Sequence, residues 1–344
     1  MDRCVRRPHG YVLLGDDQGL PHPLNLADID GENGLVLPGV GTYDESGASV
    51  SAAGDINGDG IDDLVIGAPY ASGGDGNAYV VFGSDQAWVS PVNLSGLNGA
   101  NGFRIDSVGV GDTLGVSVSG NADINGDGID DLIIGATLAG TEGAYNGACY
   151  VVFGSDEAWA SSFSLSGLDG DNGFVLSGGN AGDEAGASVS AAGDLNADGI
   201  DDLIVGAPKA DPNGESSGAI YVVFGSDQVW TTPVSLSALD GSDGFVLNGV
   251  SAGDRAGTSV SAAGHVNKDK INDVIIGAPA ADPNGESSGA SYVVFGTHGE
   301  WPASIELSGL SADNGLIING VSVGDNSGGS VGSAGDINFD GLSD

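Results

Sequence analysis

The chain has 344 residues, of which 63 are Gly and 12 Pro, so about 22% of positions punctuate regular structure instead of extending it. That share excludes a helical protein and leaves many short strands joined by tight turns. Forty-eight acidic residues against 8 basic ones give a formal charge of −40, which argues against nucleic acid or an anionic lipid surface as partner; with 40% hydrophobic residues, the chain can nevertheless bury a core and is not expected to be disordered.

The first stretch, MDRCVRRPHGYVLLGDD, carries cations but too short an apolar run for a signal peptide. No run reaches the roughly 20 apolar residues that span a bilayer, so membrane insertion by this chain is not expected. Cys4 and Cys149 are too few for a disulfide framework and match no zinc spacing.

Along the chain, Tyr11 to Gly15 and Gly34 to Pro38 read as the third and fourth strands of a partial unit over 1–40. The word YVLLGD then returns as a VFG word with Gly83, Gly154, Gly225 and Gly296, at steps of 68, 71, 71 and 71 residues. A second word, DINGDGIDD at Asp55, returns at Asp123, Asp194, His265 and Asp336 with the same steps, and a tryptophan follows each VFG word at Trp88, Trp159, Trp230 and Trp301. Each unit holds four runs of strand length, exemplified by GASVSAAGD, DDLIVGAP, GAIYVVFG and GFVLSG, separated by Gly, Asp, Asn and Pro clusters. The two middle runs are apolar at consecutive positions, so both faces of the sheet must be covered. Radial stacking does this. The expected fold is therefore all-β, a propeller of four-stranded antiparallel blades in 71-residue repeats, with blades at 41–107, 108–178, 179–249 and 250–320 and a second partial blade at 321–344. A nine-residue calcium β-roll, a helical solenoid and an immunoglobulin tandem all fail on period or strand count.

The second word places oxygen donors at loop positions 1, 3, 5 and 9, with a backbone carbonyl at 7. The sets are Asp55, Asn57, Asp59, Ile61, Asp63; Asp123, Asn125, Asp127, Ile129, Asp131; Asp194, Asn196, Asp198, Ile200, Asp202; and, at the C-terminus, Asp336, Asn338, Asp340, Leu342, Asp344. Hard oxygens without His or Cys suit Ca²⁺. Position 12 would be Ile66 where an EF-hand needs Glu, and the flanks are strands. A plain polar turn is the competing reading. The fourth copy has His265 at position 1 and Lys270 at position 6, with Lys268 inside, and is expected to hold no metal. Asp62, Asp130 and Asp201 precede the last ligand by one residue and are expected to point away from the ion into solvent.

These residues resemble the FG-GAP repeat of integrin alpha-subunit propellers. GAP stands at Gly67, Ala68, Pro69, at Gly206, Ala207, Pro208 and at Gly277, Ala278, Pro279, with Gly135, Ala136, Thr137 a variant; the Phe-Gly half is Ser46, Gly47, then Leu114, Gly115, Ala185, Gly186, Ala256, Gly257 and Ser327, Gly328. The glycine is kept and the aromatic is not. The resemblance implies a seven-bladed ring, of which this chain reads as an incomplete part, with Ca²⁺ loops between first and second strands. It also implies an extracellular or cell-surface setting and a protein or glycan ligand there. Similar repeats occur in glycosylphosphatidylinositol-specific phospholipase D and in bacterial surface proteins.

His9, His22, His265 and His298 share no context and no serine lies in a GxSxG elbow, so no enzyme is expected. The expected function is adhesion or ligand binding on a calcium-stabilised scaffold. Alternatives are a lectin-like binder, with the tryptophans stacking on sugar, and a non-catalytic propeller of a larger secreted hydrolase. The tryptophans could equally anchor each strand connection to the neighbouring blade. Charge gives the first prediction. A surface this acidic repels itself over a Debye length, about 30 Å at 0.01 M and 8 Å at 0.15 M salt, so thermal melts at fixed excess calcium should rise between about 0.02 and 1 M NaCl. A flat or falling melting temperature would show the carboxylates to be too dispersed to matter.

Overall fold

The computed structural model describes residues 9–15, 23–140 and 145–344; Cys4 and His22 lie outside them. Ser49–Gly54, Asp63–Ala68, Asn77–Val81 and Gly102–Asp106 pair in chain order into one antiparallel sheet. The pattern repeats in Ser117–Ser119, Leu132–Ala136, Ala148–Val152 and Gly173–Ser177. It recurs in Ser188–Gly193, Asp202–Ala207, Ala219–Val223 and Gly244–Asn248, and in Ser259–Gly264, Asp273–Ala278, Ala290–Val294 and Gly315–Asn319. His9–Leu13 pairs antiparallel with Gly34–Pro38 as a separate two-stranded sheet. Among the described residues there is no α-helix. The chain is an all-β, incomplete propeller of repeated four-stranded blades.

Three of the sheets gain a fifth strand that the sequence reading did not anticipate. Ser162–Ser164, Val234–Ser235 and Ser304–Glu306, each from the blade that follows, run parallel to the last strand of the preceding blade. Two or three residues are too short to show a period.

The apolar middle strands work because side chains alternate faces. In the second blade Ile133, Cys149 and Val151 pack with Leu203 and Val205 of the third. Their chain neighbours Leu132, Ile134, Tyr150 and Val152 pack with Val65, Val80 and Phe103 of the first. One continuous apolar run thus feeds two cores. The tryptophans close these interfaces. Trp159 stacks on Phe103 at 4.2 Å, Trp230 on Phe174 at 3.9 Å and Trp301 on Phe245 at 4.3 Å, with ring planes within 8° of parallel. Each phenylalanine is the second residue of the last strand of the preceding blade, so of the two readings of the tryptophans it is the anchoring one that these contacts support.

The GAP glycine sets how closely blades approach. A Cβ on Gly67 would lie 2.0 Å from the Gly115 carbonyl oxygen, and one on Gly206 would lie 2.2 Å from that of Gly257. The same carbonyls accept from Ser49 and Ser188 hydroxyls at 2.8 Å. Gly206→Ala should therefore force two blades apart and destabilise by about 1–3 kcal/mol, whereas Gly167→Ala, with nothing within 4 Å of its Cβ, should stay within about 0.5 kcal/mol. Urea denaturation of both variants checks this, and equal midpoints would refute the close-approach argument.

Candidate cation loops and the edge between blades

The first, third and fourth loops leave the first strand through a bulge, seen as a register shift between Ala52 and Gly54, Ala191 and Gly193, and Ala262 and Gly264. The extra residue turns the chain and aims position 1 outward. The loop then closes on its own amides. Asp55 Oδ1 and Oδ2 accept from the Asp59 and Gly60 N–H at 3.0 and 2.7 Å, Asn57 Oδ1 accepts from Asp59 at 2.9 Å, and Asp59 Oδ1 accepts from Ile61 at 2.9 Å. The second and third loops repeat the set through Asp123, Asn125 and Asp127 and through Asp194, Asn196 and Asp198. Position 6 must turn left-handed, with φ of +86° at Gly60, which glycine does without strain.

The last carboxylate of each of the first four loops is the buried hub. Asp131 is fully buried, and its two oxygens accept from Ile124 at 2.8 Å and Gly154 at 2.9 Å. Asp202 accepts from Leu195 at 2.8 Å and Gly225 at 2.9 Å, and Asp63 accepts from Ile56 at 3.2 Å and Gly83 at 2.7 Å. The glycine of the VFG word is thus the donor to the final aspartate of the loop word, which explains why the two words keep one step. Burial pushes the carboxyls of Asp131 and Asp202 up to about 8 and that of Asp63 up to about 7, against the lowering effect of the N–H donors. Loop carboxylates add to the rise: Asp127 and Asp123 act on Asp131, and Asp59 and Asp55 on Asp63.

Among the described residues, no group of three His, Cys, Asp or Glu side chains is gathered closely enough to hold a metal, because the loop oxygens are turned onto loop amides. The donor chemistry nevertheless fits a hard cation. The first three loops contain no cationic side chain, and a carboxylate oxygen that accepts one N–H keeps acceptor capacity.

The fourth loop keeps the fold and loses part of the set. Asn267 and Asp269 still accept from Asp269 and Ile271 N–H at 2.9 Å, and Lys270 takes the left-handed turn at φ +69°. His265 has no carboxylate to offer there. The C-terminal loop rebuilds the pattern, with Asp336 accepting from Asp340 and Gly341 at 3.0 and 2.8 Å, Asn338 from Asp340 at 2.9 Å, Asp340 from Leu342 at 3.0 Å, and Asp344 from Ile337 at 3.0 Å.

The expectation that the residue before the last ligand is solvated holds for Asp62, which is exposed, and is wrong for Asp130 and Asp201, which are half-buried. Asp130 Oδ2 accepts from the Asp55 N–H at 2.9 Å, and Asp201 Oδ2 accepts from the Asp123 N–H at 3.2 Å. Strand alternation does turn them away from their own loop, but what lies there is the loop of the preceding blade. Spacing within one repeat could not reveal a partner one repeat away.

Beside each of three loops opens a cleft of 390 to 410 Å³. One is lined by Asn125, Asp127, Trp159 and Asp171, and its counterparts involve Asp198 with Trp230 and Asp269 with Trp301.

An all-β repeat chain with an acidic loop between the first two strands of each blade and paired glycines between blades defines the class. The FG-GAP repeat family model matches residues 46–81, 115–152 and 185–223; the chain carries FG-GAP repeats. It is similar to integrin alpha pat-2 of Caenorhabditis elegans, 35% identical over 109 residues covering 31% of this chain and 8% of that protein. It is also similar to integrin alpha-PS2 of Drosophila melanogaster, 30% identical over 182 residues, 50% of this chain and 11% of that one. A third relative is the phosphatidylinositol-glycan-specific phospholipase D of Homo sapiens, 33% identical over 196 residues, 53% of this chain and 21% of that enzyme. The matched stretches are thus about a fifth or less of these relatives.

The raised carboxyls give a pH prediction. Without cation, Asp131 and Asp202 stay protonated up to about 8 in the folded chain, while the unfolded chain ionises near the ordinary value of about 4. The folded state therefore binds more protons between these limits, and stability in chelator should fall as pH rises from about 4 to about 8. Urea midpoints in EDTA at pH 5 and 8, about one unit inside those limits at the lower end, should differ in that direction, and Asp131→Asn should reduce the difference. A steeper or unchanged pH slope in that variant would remove Asp131 from the account.

Proposed function

We propose that the chain is part of a calcium-stabilised propeller that works outside the cell or at its surface as an adhesion or ligand-binding module, without catalysis of its own. The observation that carries this reading is the acidic loop that recurs between the first and second strands of successive blades, with the same internal hydrogen bonds in the first three. Each of these loops carries aspartates at positions 1, 5 and 9, a donor set that suits a divalent cation. Asp55, Asn57, Asp59, Asp63 and the Ile61 carbonyl would hold it in the first loop, with the matching sets at Asp123 and Asp194. Calcium supplies charge neutralisation and cross-linking of the loop there. Extracellular modules of this kind bind at about 10⁻⁴ to 10⁻³ M, which suits an exported protein. The blades are assigned to 41–107, 108–178, 179–249 and 250–320, with partial blades at 1–40 and 321–344. The likeness to integrin alpha subunits supports a protein ligand.

Two other settings have support. The repeated clefts join loop oxygens to a tryptophan edge, as a glycan binder requires. The likeness to a phospholipase D supports a non-catalytic propeller within a larger secreted hydrolase.

Calorimetry should show about three calcium ions per chain, and EDTA should lower the melting temperature. Asp127→Ala should abolish one site and destabilise by about 1–3 kcal/mol, with distant blades little affected. Asp269→Ala in the fourth loop should be much milder. No calcium uptake and an unchanged melt in EDTA would overturn the calcium reading. Arrays of matrix proteins and of glycans, each probed with the calcium-loaded chain, separate the first two settings.

A further inference from the structure

Each acidic loop is completed by the blade that follows it. The first two residues of a loop present backbone groups to the next blade, which grips them at recurring points, though not all of them in every loop. The second-position carbonyls of Ile56, Ile124 and Leu195 accept from Ser155, Ser226 and Thr297 N–H at 2.9, 2.9 and 3.0 Å. The first-position carbonyls of Asp123, Asp194 and His265 accept from Asp201, Asn272 and Ser343 N–H at 3.2, 3.3 and 2.9 Å. The gripping residue also contributes its side chain. Asp130 takes the Asp55 N–H, Asp201 the Asp123 N–H, and Ser343 Oγ the His265 N–H at 3.1 Å. Behind the third loop the same place is held by Asn272, whose amide lies against Gly193.

We propose that Asp130 and Asp201 are positioning residues that couple each cation loop to the next blade, setting the affinity of the Asp55 and Asp123 loops respectively without touching the ion. The proposal rests on the calcium reading above. The chemistry has two parts. Holding both backbone groups of position 1, or its N–H in the first loop, fixes the residue whose carboxylate organises the amides of positions 5 and 6. A carboxylate behind that residue also adds negative charge close to the site, where an amide adds none. Asp201 lies within electrostatic reach of Asp123, Asp194 and Asp130. The first two loops, backed by aspartate, should consequently bind more tightly than the third, backed by Asn272. Asp62 occupies the equivalent place in its own blade, yet it is exposed, and so should carry no such role.

The test isolates one loop in the full chain. Asp127→Ala, Asp198→Ala and Asp340→Ala together leave the Asp55 loop as the binder, and its calcium affinity is measured by calorimetry with terbium luminescence as a second readout. Adding Asp130→Asn should weaken binding about tenfold, the low end for outer-shell partners of a metal, while adding Asp62→Asn should leave it unchanged. Hydrogen exchange at the Asp55 amide should speed up with Asp130→Asn. The reverse experiment guards against a folding defect: in a chain keeping only the Asp194 loop, through Asp59→Ala, Asp127→Ala and Asp340→Ala, Asn272→Asp should tighten binding. Equal weakening by Asp62→Asn and Asp130→Asn would show a general charge effect and overturn the coupling. So would unaltered affinity in both Asp130→Asn and Asn272→Asp. If the parent chain itself takes up no calcium, the reading of the loops falls first and the coupling falls with it.

Discussion

The closest constraint in this molecule is backbone against backbone. Where the GAP glycine of one blade meets the Phe-Gly-type glycine of the next, a Cβ on Gly135 would lie 2.1 Å from the Gly186 oxygen, and one on Gly277 1.9 Å from that of Gly328. The N–H of the second glycine meanwhile bonds to the GAP glycine of its own blade, as Gly186 does to Gly206 at 3.1 Å. Two sheets are thereby held at a spacing that no side chain could enter. That spacing lets Ile133 and Val151 meet Leu203 and Val205, lets Trp230 lie flat on Phe174, and brings Asp201 to the Asp123 amide. The hydrophobic term is the larger in energy, since several aliphatic side chains are buried per interface at about 1.5–3 kcal/mol each. The glycines decide where those side chains can meet.

Acidity is accommodated by amides. With 48 acidic and 8 basic residues, ion pairs cannot satisfy the carboxylates, and among the described residues the salt bridges are Arg104 with Asp106 and Lys209 with Glu184. Aspartate instead accepts from nearby N–H groups, as in the turns where Asp112 takes Gly109, Asp183 takes Asn180 and Asp254 takes Ser251, at 2.7 to 3.1 Å. Such turns use the short side chain's local reach. At the buried hubs the same device is strained by desolvation, and that is where the carboxyls of Asp131 and Asp202 rise to about 8. An exposed carboxylate, such as Asp127, and a fully buried one, such as Asp131, therefore belong to the same nine residues.

Much of the blade was legible because a repeat displays its own grammar. The step of 71 shows in the linear order of the words, and the paired apolar runs and the oxygen spacing at Asp123, Asn125 and Asp127 required nothing beyond one unit. What escaped lies between units. The short parallel strands at Ser162 and Val234 carry too few residues for a pattern, and the role of Asp130 depends on Asp55, 75 residues away. The tryptophans could be read two ways until Phe103, Phe174 and Phe245 were found beneath them. In each case the missing information was the angle and spacing between sheets, which a linear repeat implies without stating.

The fourth loop separates what folds the loop from what would charge it. His265 cannot accept the amides that Asp55 or Asp123 accepts, and two lysines stand among the remaining oxygens, yet the turn is retained. Asp273, fully buried, still binds Val266 at 2.8 Å and Gly296 at 2.9 Å, with its carboxyl raised chiefly by burial. From the next blade, Ser343 still grips both backbone groups of His265. The hub, the grip and the Asn267 and Asp269 turns therefore hold the backbone without a carboxylate at position 1, and that position is left to set the charge of the loop. Such a division lets one scaffold carry loops of different charge side by side without disturbing the blades on either side.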